Sequence, residues 1–392
     1  MHKQGIGNHH NTKLQALVQA FDYIILGAGC AGLSLVTRLI ESGKFNDKKI
    51  LLLDRQQKKL NDRTWCFWEK EAGHFESLVY HQWKTLWVKH PKGSVDLNLD
   101  DYTYKMIRGI EFYNHCFSII KKAANVTVRY EEVSAIDAEK GSVSAGENEF
   151  ITDYIFSSVL LEMPLLAPTE FYLLQHFRGW WIDTDTDFFD PSQADLMNFK
   201  TSQVHGCAFV YVLPVSKRRA LVEYTLFTEE PLQNEEYEAG IRTFIHDELK
   251  LSDYTTSEVE QGIIPMTNLH FPTQQGKVFF IGTAGGQTKA STGYTFRFIQ
   301  KQSQAIVDSL VETGKPILPE TPKRFHFYDS VLLRVLHERK LGGDELFYQM
   351  FKQNKASKVL KFLDNETSLI EELRIMNSTP KTIFVPAAMK EM

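Results

Sequence analysis

Phe21-Asp22-Tyr23-Ile24-Ile25-Leu26-Gly27-Ala28-Gly29-Cys30-Ala31-Gly32 is the stretch that decides the fold. An apolar run of strand character ends in G-x-G-x-x-G, and Leu33 to Ile40 continues as an amphipathic helix. The next apolar run, Lys49-Ile50-Leu51-Leu52-Leu53-Asp54, closes on an acid about twenty residues beyond the last glycine. Glycine-rich turns precede many helices, so the glycines alone say little. Strand, turn, helix, strand and acid in that order predict a dinucleotide site. Gly27 permits the tight turn, Gly29 lets backbone approach a pyrophosphate, and Gly32 lets the helix lie close on the sheet. The helix start near Cys30, with Ala28 in the turn before it, aims unpaired N–H groups and a positive end at phosphates. Asp54 can accept from a ribose hydroxyl and repels a 2′-phosphate, which argues for FAD or NAD over NADP. Arg55, next in the chain, joins the cofactor-binding candidates.

Around that unit, 392 residues suit two intimately connected domains. Aromatic residues make up 12% of the chain, enough either to line a large apolar ligand or to fill a core. A formal charge of −5 carries no basic excess, which argues against nucleic acid as partner. Cys30, Cys66, Cys116 and Cys207 are dispersed, without metal-ligand spacing, and read as free thiols in a reducing compartment. Met1 to Thr12 is polar and lacks the pattern of an export signal. No run of eighteen apolar residues is found, so a spanning helix is not expected, whereas shallow attachment to a bilayer is compatible.

Farther along, strand-like pieces at Thr85 to Val88 and Ser94 to Leu97 lead to a helical stretch, Arg108 to Ala123, and a strand, Val126 to Tyr130. Hairpin-like alternation follows through Ser142 to Ala145 and Ile151 to Leu161. Phe171 to Gly262 alternates mostly with period two, as an antiparallel sheet does, broken by one helix, Asn234 to Leu249. Lys277 to Gly282 returns to a buried-strand run before Gly-rich sequence and a helix, Gly293 to Thr313. Pro316, Pro319 and Pro322 mark a boundary, and Lys323 to Met376 is helical in period. The expected division is a discontinuous nucleotide domain at 20–75, 100–165 and 265–320, a substrate domain at 76–99 and 166–264, and a C-terminal helical region at 321–392.

Four segments together, in order and spacing, resemble the bacterial and plant lycopene cyclases. They are the Gly-rich unit, Asp62-Arg63-Thr64-Trp65-Cys66-Phe67-Trp68, Leu221-Val222-Glu223-Tyr224-Thr225-Leu226-Phe227, and Gly282-Thr283-Ala284-Gly285-Gly286 with Ser291-Thr292-Gly293-Tyr294. The resemblance implies an α/β fold with α+β elements, an FAD-binding Rossmann-like domain of the p-hydroxybenzoate-hydroxylase type. It further implies cyclisation of lycopene to β-ring carotenes without net redox change. FAD would be reduced by NADPH or NADH and stay reduced, while a carboxylic acid protonates the terminal C1=C2 bond. Such an enzyme would sit in the cytoplasm, peripheral on the membrane surface that holds its substrate. The competing expectation is an oxidoreductase of the same fold, a hydroxylase or prenyl-chain reductase.

The residues suit that chemistry. Glu223 lies among Leu221, Val222, Tyr224 and Leu226, where desolvation would retain its proton; a strand Glu facing solvent is the plain alternative. The family motif has a second acid after it, and here Tyr224 stands in that place, so Tyr224 becomes a substrate-contact candidate. Gly282, Thr283, Gly285, Gly286, Gly293 and Tyr294 are candidates for the flavin edge. Trp65 and Trp68 suit a wall against a polyene or cation, or equally a core, and Arg63 a phosphate or an ion pair. Glu162 reads as a solvated loop residue. Asp183, Asp185, Asp187 and Asp190 read as a solvated acidic loop and no metal site is expected. Phe325, Phe327, Tyr328, Leu332, Leu333, Leu336, Leu346, Phe347, Met350, Phe351, Leu360, Phe362 and Leu363 either face a membrane, with Lys352, Lys355, Lys358 and Lys361 at headgroups, or cover the FAD domain.

Overall fold

The structure is a computed structural model and describes residues 18–162 and 164–392. Most of the tail expected at residues 1–20, and Met163, lie outside the described residues.

A six-stranded sheet carries the nucleotide unit. Its order is Gln274–Gln275, Val278–Phe280, Tyr154–Ser157, Tyr23–Leu26, Ile50–Asp54, Val126–Tyr130, parallel throughout except for the first strand. The strands are apolar on both faces because both are covered. Tyr23, Ile25, Ile50, Leu52 and Phe156 meet the helices Cys30–Glu41, Gly109–Ile120 and Phe296–Thr313. Ile24, Leu26, Leu51, Leu53 and Ile155 meet a small four-stranded sheet built from Val18–Ala20, Val133–Asp137, Ser142–Ala145 and Asn148–Ile151. The hairpin-like sequence that interrupts the parallel unit is therefore its third layer.

The second large sheet has seven strands in the order Thr255–Thr267, Tyr172–Asp183, Arg219–Thr228, Cys207–Ser216, Gln193–Asn198, Thr85–His90, Gly93–Asn98. All pairs are antiparallel except Gln193–Asn198 with Thr85–His90. Strand alternation divides its side chains cleanly. Trp180, Val210, Val222, Tyr224 and Leu226 pack under the helix Asn234–Phe244. Trp181, Phe209, Tyr211, Leu213, Leu221 and Phe227 face the opposite way. The expected helix to Leu249 changes character on the way, with a π-turn over Ile245–Leu249.

A three-stranded sheet, Thr64–Glu69, Thr103–Arg108 and His81–Trp83, bridges the two large ones. Five helices follow: Lys323–His337, Gly343–Gln353, Ala356–Leu363, Leu369–Met376 and Lys381–Glu391. Phe325, Leu333, Leu346, Phe347, Met350, Phe351, Leu360 and Leu363 are buried. All but Phe325 and Leu346 join one core with the seven-stranded sheet. The buried part of the apolar stripe covers the second sheet and not the nucleotide unit, a correction to that expectation, while Phe327, Tyr328, Leu332 and Phe362 are half-buried and line a further cavity. Within this helical region, Leu369, Ile370, Leu373, Val385 and Met389, on the last two helices, are exposed. None of the described helices is long and apolar enough to cross a membrane.

Candidate active site

A cavity of about 460 Å³ opens where the C-terminal edge of the parallel sheet, the three-stranded sheet and the inner face of the seven-stranded sheet meet. Ligands in open α/β sheets bind beyond the carboxyl ends of the strands, where this cavity begins. On the nucleotide side Gly29, Cys30, Ala31, Lys58 and Arg63 line it; on the far side Tyr211, Leu221 and Glu223 do.

The three glycines of the first turn divide their work as expected. Gly27 adopts a φ of +96° and donates its N–H to the Leu53 carbonyl at 2.7 Å. A methyl placed on Gly32 would lie 1.9 Å from the Gly27 carbonyl oxygen, so helix and turn touch there. A methyl on Gly29 would meet nothing within 4 Å, which leaves a cradle that faces the cavity at the start of the helix Cys30–Glu41.

Asp54 is buried, and its carboxylate holds this turn together. Oδ2 accepts from the Ala28 N–H at 2.6 Å, Oδ1 from the Gln56 N–H at 3.1 Å, and Lys58 approaches to 3.4 Å. Ala28 thus gives its N–H to Asp54 and not to the cavity, a correction to its expected role. Arg55 is a second correction: it is exposed just past the strand end, and Lys58, one helical turn's spacing beyond Asp54, is the cation on the cavity wall. Arg63 is at the wall as expected, its guanidinium donating to the Asp62 carbonyl at 2.8 Å.

The second glycine-rich segment is split. Gly282, Thr283, Gly293 and Tyr294 line the cavity, with Thr292 and Thr295. Gly285 and Gly286 do not, which corrects their assignment. A methyl on Gly285 would strike the Phe280 carbonyl at 2.2 Å, and Gly286 turns the chain at a φ of +71°. The helix after this segment begins at Phe296, not at Gly293, because Gly293 takes a φ of +73° and sits against the Gln175 amide.

The aromatic motif divides by strand alternation. Trp65 lines the cavity and meets Phe112 edge-on at 5.2 Å. Trp68 is buried behind the wall, 4.4 Å from the ring of Tyr294, so its expected substrate contact is replaced by support of a lining residue. Tyr224 is corrected for the same reason. It faces away from the cavity and packs on Gly240 of the helix beneath, while Glu223 points to the cavity side.

Glu223 is half-buried, and its Oε1 accepts from the Thr225 hydroxyl at 3.1 Å. Burial pushes its carboxyl well above the ordinary carboxylate range, and the charge of Glu260 pushes it further. Glu260 was not legible as a site residue in the sequence. It lies two strands away in register: Gly179 of the central strand pairs with Glu223 on one side and Glu260 on the other. Glu260 is 5% exposed, and its Oε2 accepts from the Thr64 hydroxyl at 2.7 Å. Burial raises its carboxyl to about 7. Tyr104, Tyr211, Tyr294 and Cys66, which also line the cavity, are held neutral by burial. The far half of the cavity is thus lined by neutral side chains, with the Glu223 carboxyl on the wall and that of Glu260 behind it.

The residues present fit a dinucleotide cofactor. The Gly29 cradle and the helix start accept phosphates, with Lys58 and Arg63 as countercharges. Gln175 Oε1 and Thr292 Oγ1, both on the lining residues, are buried without a protein partner. Glu162 is exposed, as expected. In the acidic loop, Asp183 pairs with Arg219 at 2.9 Å, Asp187 with Arg218 at 2.7 Å, and Asp190 caps its own turn through Ser192.

Comparison with known proteins agrees with this geometry. The lycopene beta-cyclase of Paracoccus sp. (strain N81106 / MBIC 01143) is 23% identical over 387 residues, covering 92% of this chain and 94% of that protein. A geranylgeranyl bacteriochlorophyll reductase-like protein from Thermoplasma acidophilum superposes with a TM-score of 0.60 at 13% identity, over 95% of this chain and 98% of that one. A flavoprotein/dehydrogenase from Cytophaga hutchinsonii gives 0.61 at 11% identity, over 95% and 99%. The expected flavoprotein-type α/β fold, with its antiparallel sheet and C-terminal helices, is the observed one. The sequence pattern described as "Lycopene cyclase protein" matches residues 22–389, so the chain belongs to the lycopene cyclase family.

Proposed function

We propose that the chain cyclises the ends of lycopene to β-rings, giving γ- and β-carotene, as an intramolecular lyase whose product has the formula of its substrate. The observation that carries this reading is Glu223: a carboxyl on the wall of the cavity, shifted toward its acid form by burial, among neutral side chains. Protonating an alkene requires a strong acid where water cannot trap the cation. Glu223 gives its proton to the terminal C1=C2 bond, the C5=C6 electron pair closes the ring, and loss of the C6 proton forms the new double bond.

Reduced FAD bound here would supply an electron-rich ring whose negative charge favours positive charge on a nearby substrate, with NADPH or NADH as the reductant. Gly29, Lys58 and Arg63 would hold its phosphates, and Gly282, Thr283, Thr292 and Gly293 its ring. Trp65 and Tyr294 present aromatic faces to the polyene end and exclude water. The domain division follows the same logic, with 20–75, 100–165 and 265–320 holding the cofactor and 76–99 with 166–264 closing over the substrate.

The chain meets its hydrocarbon substrate at the cytoplasmic membrane surface. Exposed Leu369, Ile370, Leu373, Val385 and Met389 support that reading, together with a second cavity of about 300 Å³ lined by Leu373 and Val385 and, deeper, by Leu346 and Phe347. Co-sedimentation with anionic vesicles should fall when Leu373 and Val385 are both changed to Ser.

The test of the reaction is anaerobic incubation with lycopene and dithionite-reduced FAD. Cyclic carotene should form with no net loss of reduced flavin; absence of cyclic product, or stoichiometric flavin oxidation, refutes it. NADPH consumption stimulated by substrate would instead favour the hydroxylase or prenyl-chain reductase.

A further inference from the structure

We propose that Glu260 is a positioning residue for Glu223, set across Gly179 so that its charge holds Glu223 in the acid form. The inference rests on the reading of Glu223 as the acid and adds a second carboxyl to it.

Three observations carry it. The first is the gap at Gly179. A methyl placed there would lie 2.9 Å from Leu221 Cδ1, 3.2 Å from Glu260 Cγ and 3.3 Å from Glu223 Cβ, so both glutamate side chains, with Leu221, lean over the space that a missing side chain leaves. Any larger residue at 179 would strike Leu221 and press between the two glutamate stems. The second is the tether. Thr64, on the three-stranded sheet, fixes Glu260 Oε2 by its hydroxyl, and Thr64 itself lines the cavity. The third is Glu260 Oε1, buried with no partner. When Glu260 is ionised, this oxygen has no donor to quench its charge locally, so the charge acts on its neighbours more strongly than a fully hydrogen-bonded carboxylate would.

The surroundings do not cancel it. Around Glu260 stand Thr64 and Arg63 from the edge of the three-stranded sheet, Arg108 from its centre, and Glu258 on its own strand. Arg108 is engaged by Glu258 at 2.7 Å, and Arg63 is exposed. Around Glu223 stand Thr225 on its own strand, Tyr211 on the next, Cys66 and Tyr104 from the three-stranded sheet, and Tyr294 from the loop before the helix Phe296–Thr313. Among the described residues no Lys or Arg forms an ion pair with either carboxyl. Two carboxyls sharing such a site do not both ionise readily, and the one with the weaker hydrogen bonding keeps its proton to higher pH. Glu260 has the short bond from Thr64, Glu223 the longer one from Thr225.

The test is infrared titration of the FAD-loaded enzyme, following the protonated-carboxyl band that disappears in Glu223→Gln. In Glu260→Gln that band should lose intensity at a pH about one unit lower than in the wild type, the usual scale of a neighbouring-charge effect. The alkaline limb of cyclisation should move by the same amount. Thr64→Val weakens the ionised form of Glu260 without touching its side chain and should shift the band in the same direction; it decides the matter if Glu260→Gln does not fold. An unmoved band midpoint overturns the proposal. A shifted band in an enzyme that forms no cyclic carotene supports the Glu260 coupling and overturns the reaction assigned above.

Discussion

Lys289 and Asp329 form a buried ion pair at 2.8 Å, with the lysine side chain 1% exposed. Lys289 also donates to the Asn365 side chain at 2.7 Å. The pair ties the loop that carries Gly293 and Tyr294 to the first of the C-terminal helices, so the helical region clamps one wall of the cavity. Losing one partner leaves a buried charge alone, at a cost of about 3–5 kcal/mol. Asp329→Ala should therefore lower the melting temperature and weaken FAD binding by fluorescence titration. Replacing both residues together by apolar ones of similar size should recover much of the stability. Recovery of FAD affinity without recovery of stability would contradict the clamp.

The two inner glycines of the first turn should separate fold from cofactor. Gly32→Ala forces a methyl onto the Gly27 carbonyl, and thermal melts should show a destabilisation of several kcal/mol. Gly29→Ala meets open space in the protein, at an ordinary φ of −89°. Its melt without cofactor should match the wild type within about 1 kcal/mol, while FAD affinity drops about tenfold or more because the methyl occupies the phosphate cradle. Equal FAD affinity in Gly29→Ala would remove that turn from the binding site.

Glu223→Gln and Tyr224→Phe test the choice between adjacent residues. General acids contribute on the order of 10²–10⁴-fold, so pigment chromatography should find cyclisation by Glu223→Gln reduced at least that far, with FAD still bound. Tyr224 lies under the helix Asn234–Phe244, and Tyr224→Phe should cyclise within about twofold of wild type. A large loss in the Phe variant would mean that the strand presents its other face to the substrate.

That choice marks how far the sequence could be read. The β-α-β unit was legible because its signals are local: a buried strand, three glycines and an acid within one short segment. Period-two alternation equally separates Glu223 from Tyr224, but which side meets a cavity depends on what covers each face. The helix Asn234–Phe244 takes one face and the three-stranded sheet with the C-terminal helices the other. Trp68 and the apolar stripe from Phe325 to Leu363 read ambiguously for the same reason, since burial and ligand contact select the same residue types. Glu260 was beyond reach. It meets Glu223 only through the register of a third strand, and the residue that permits the meeting, Gly179, signals itself by having no side chain.

Stability against pH gives a check that needs no substrate. Burial raises the Glu260 carboxyl from its ordinary 4.5 to about 7 in the folded chain. Below about pH 4.5 both states hold the proton; between 4.5 and 7 the unfolded chain releases it first, so unfolding becomes easier as pH rises; above 7 the difference is constant. At about 1.36 kcal/mol per pH unit, this one group costs the fold roughly 3 kcal/mol across that window. Glu260→Gln removes the cost and keeps an acceptor for Thr64. In denaturant titrations its stability relative to wild type should therefore improve by roughly that amount between about pH 5 and pH 8. A constant difference over the same range would mean that burial does not penalise the Glu260 charge and that its carboxyl titrates in the folded chain as it does in the unfolded one.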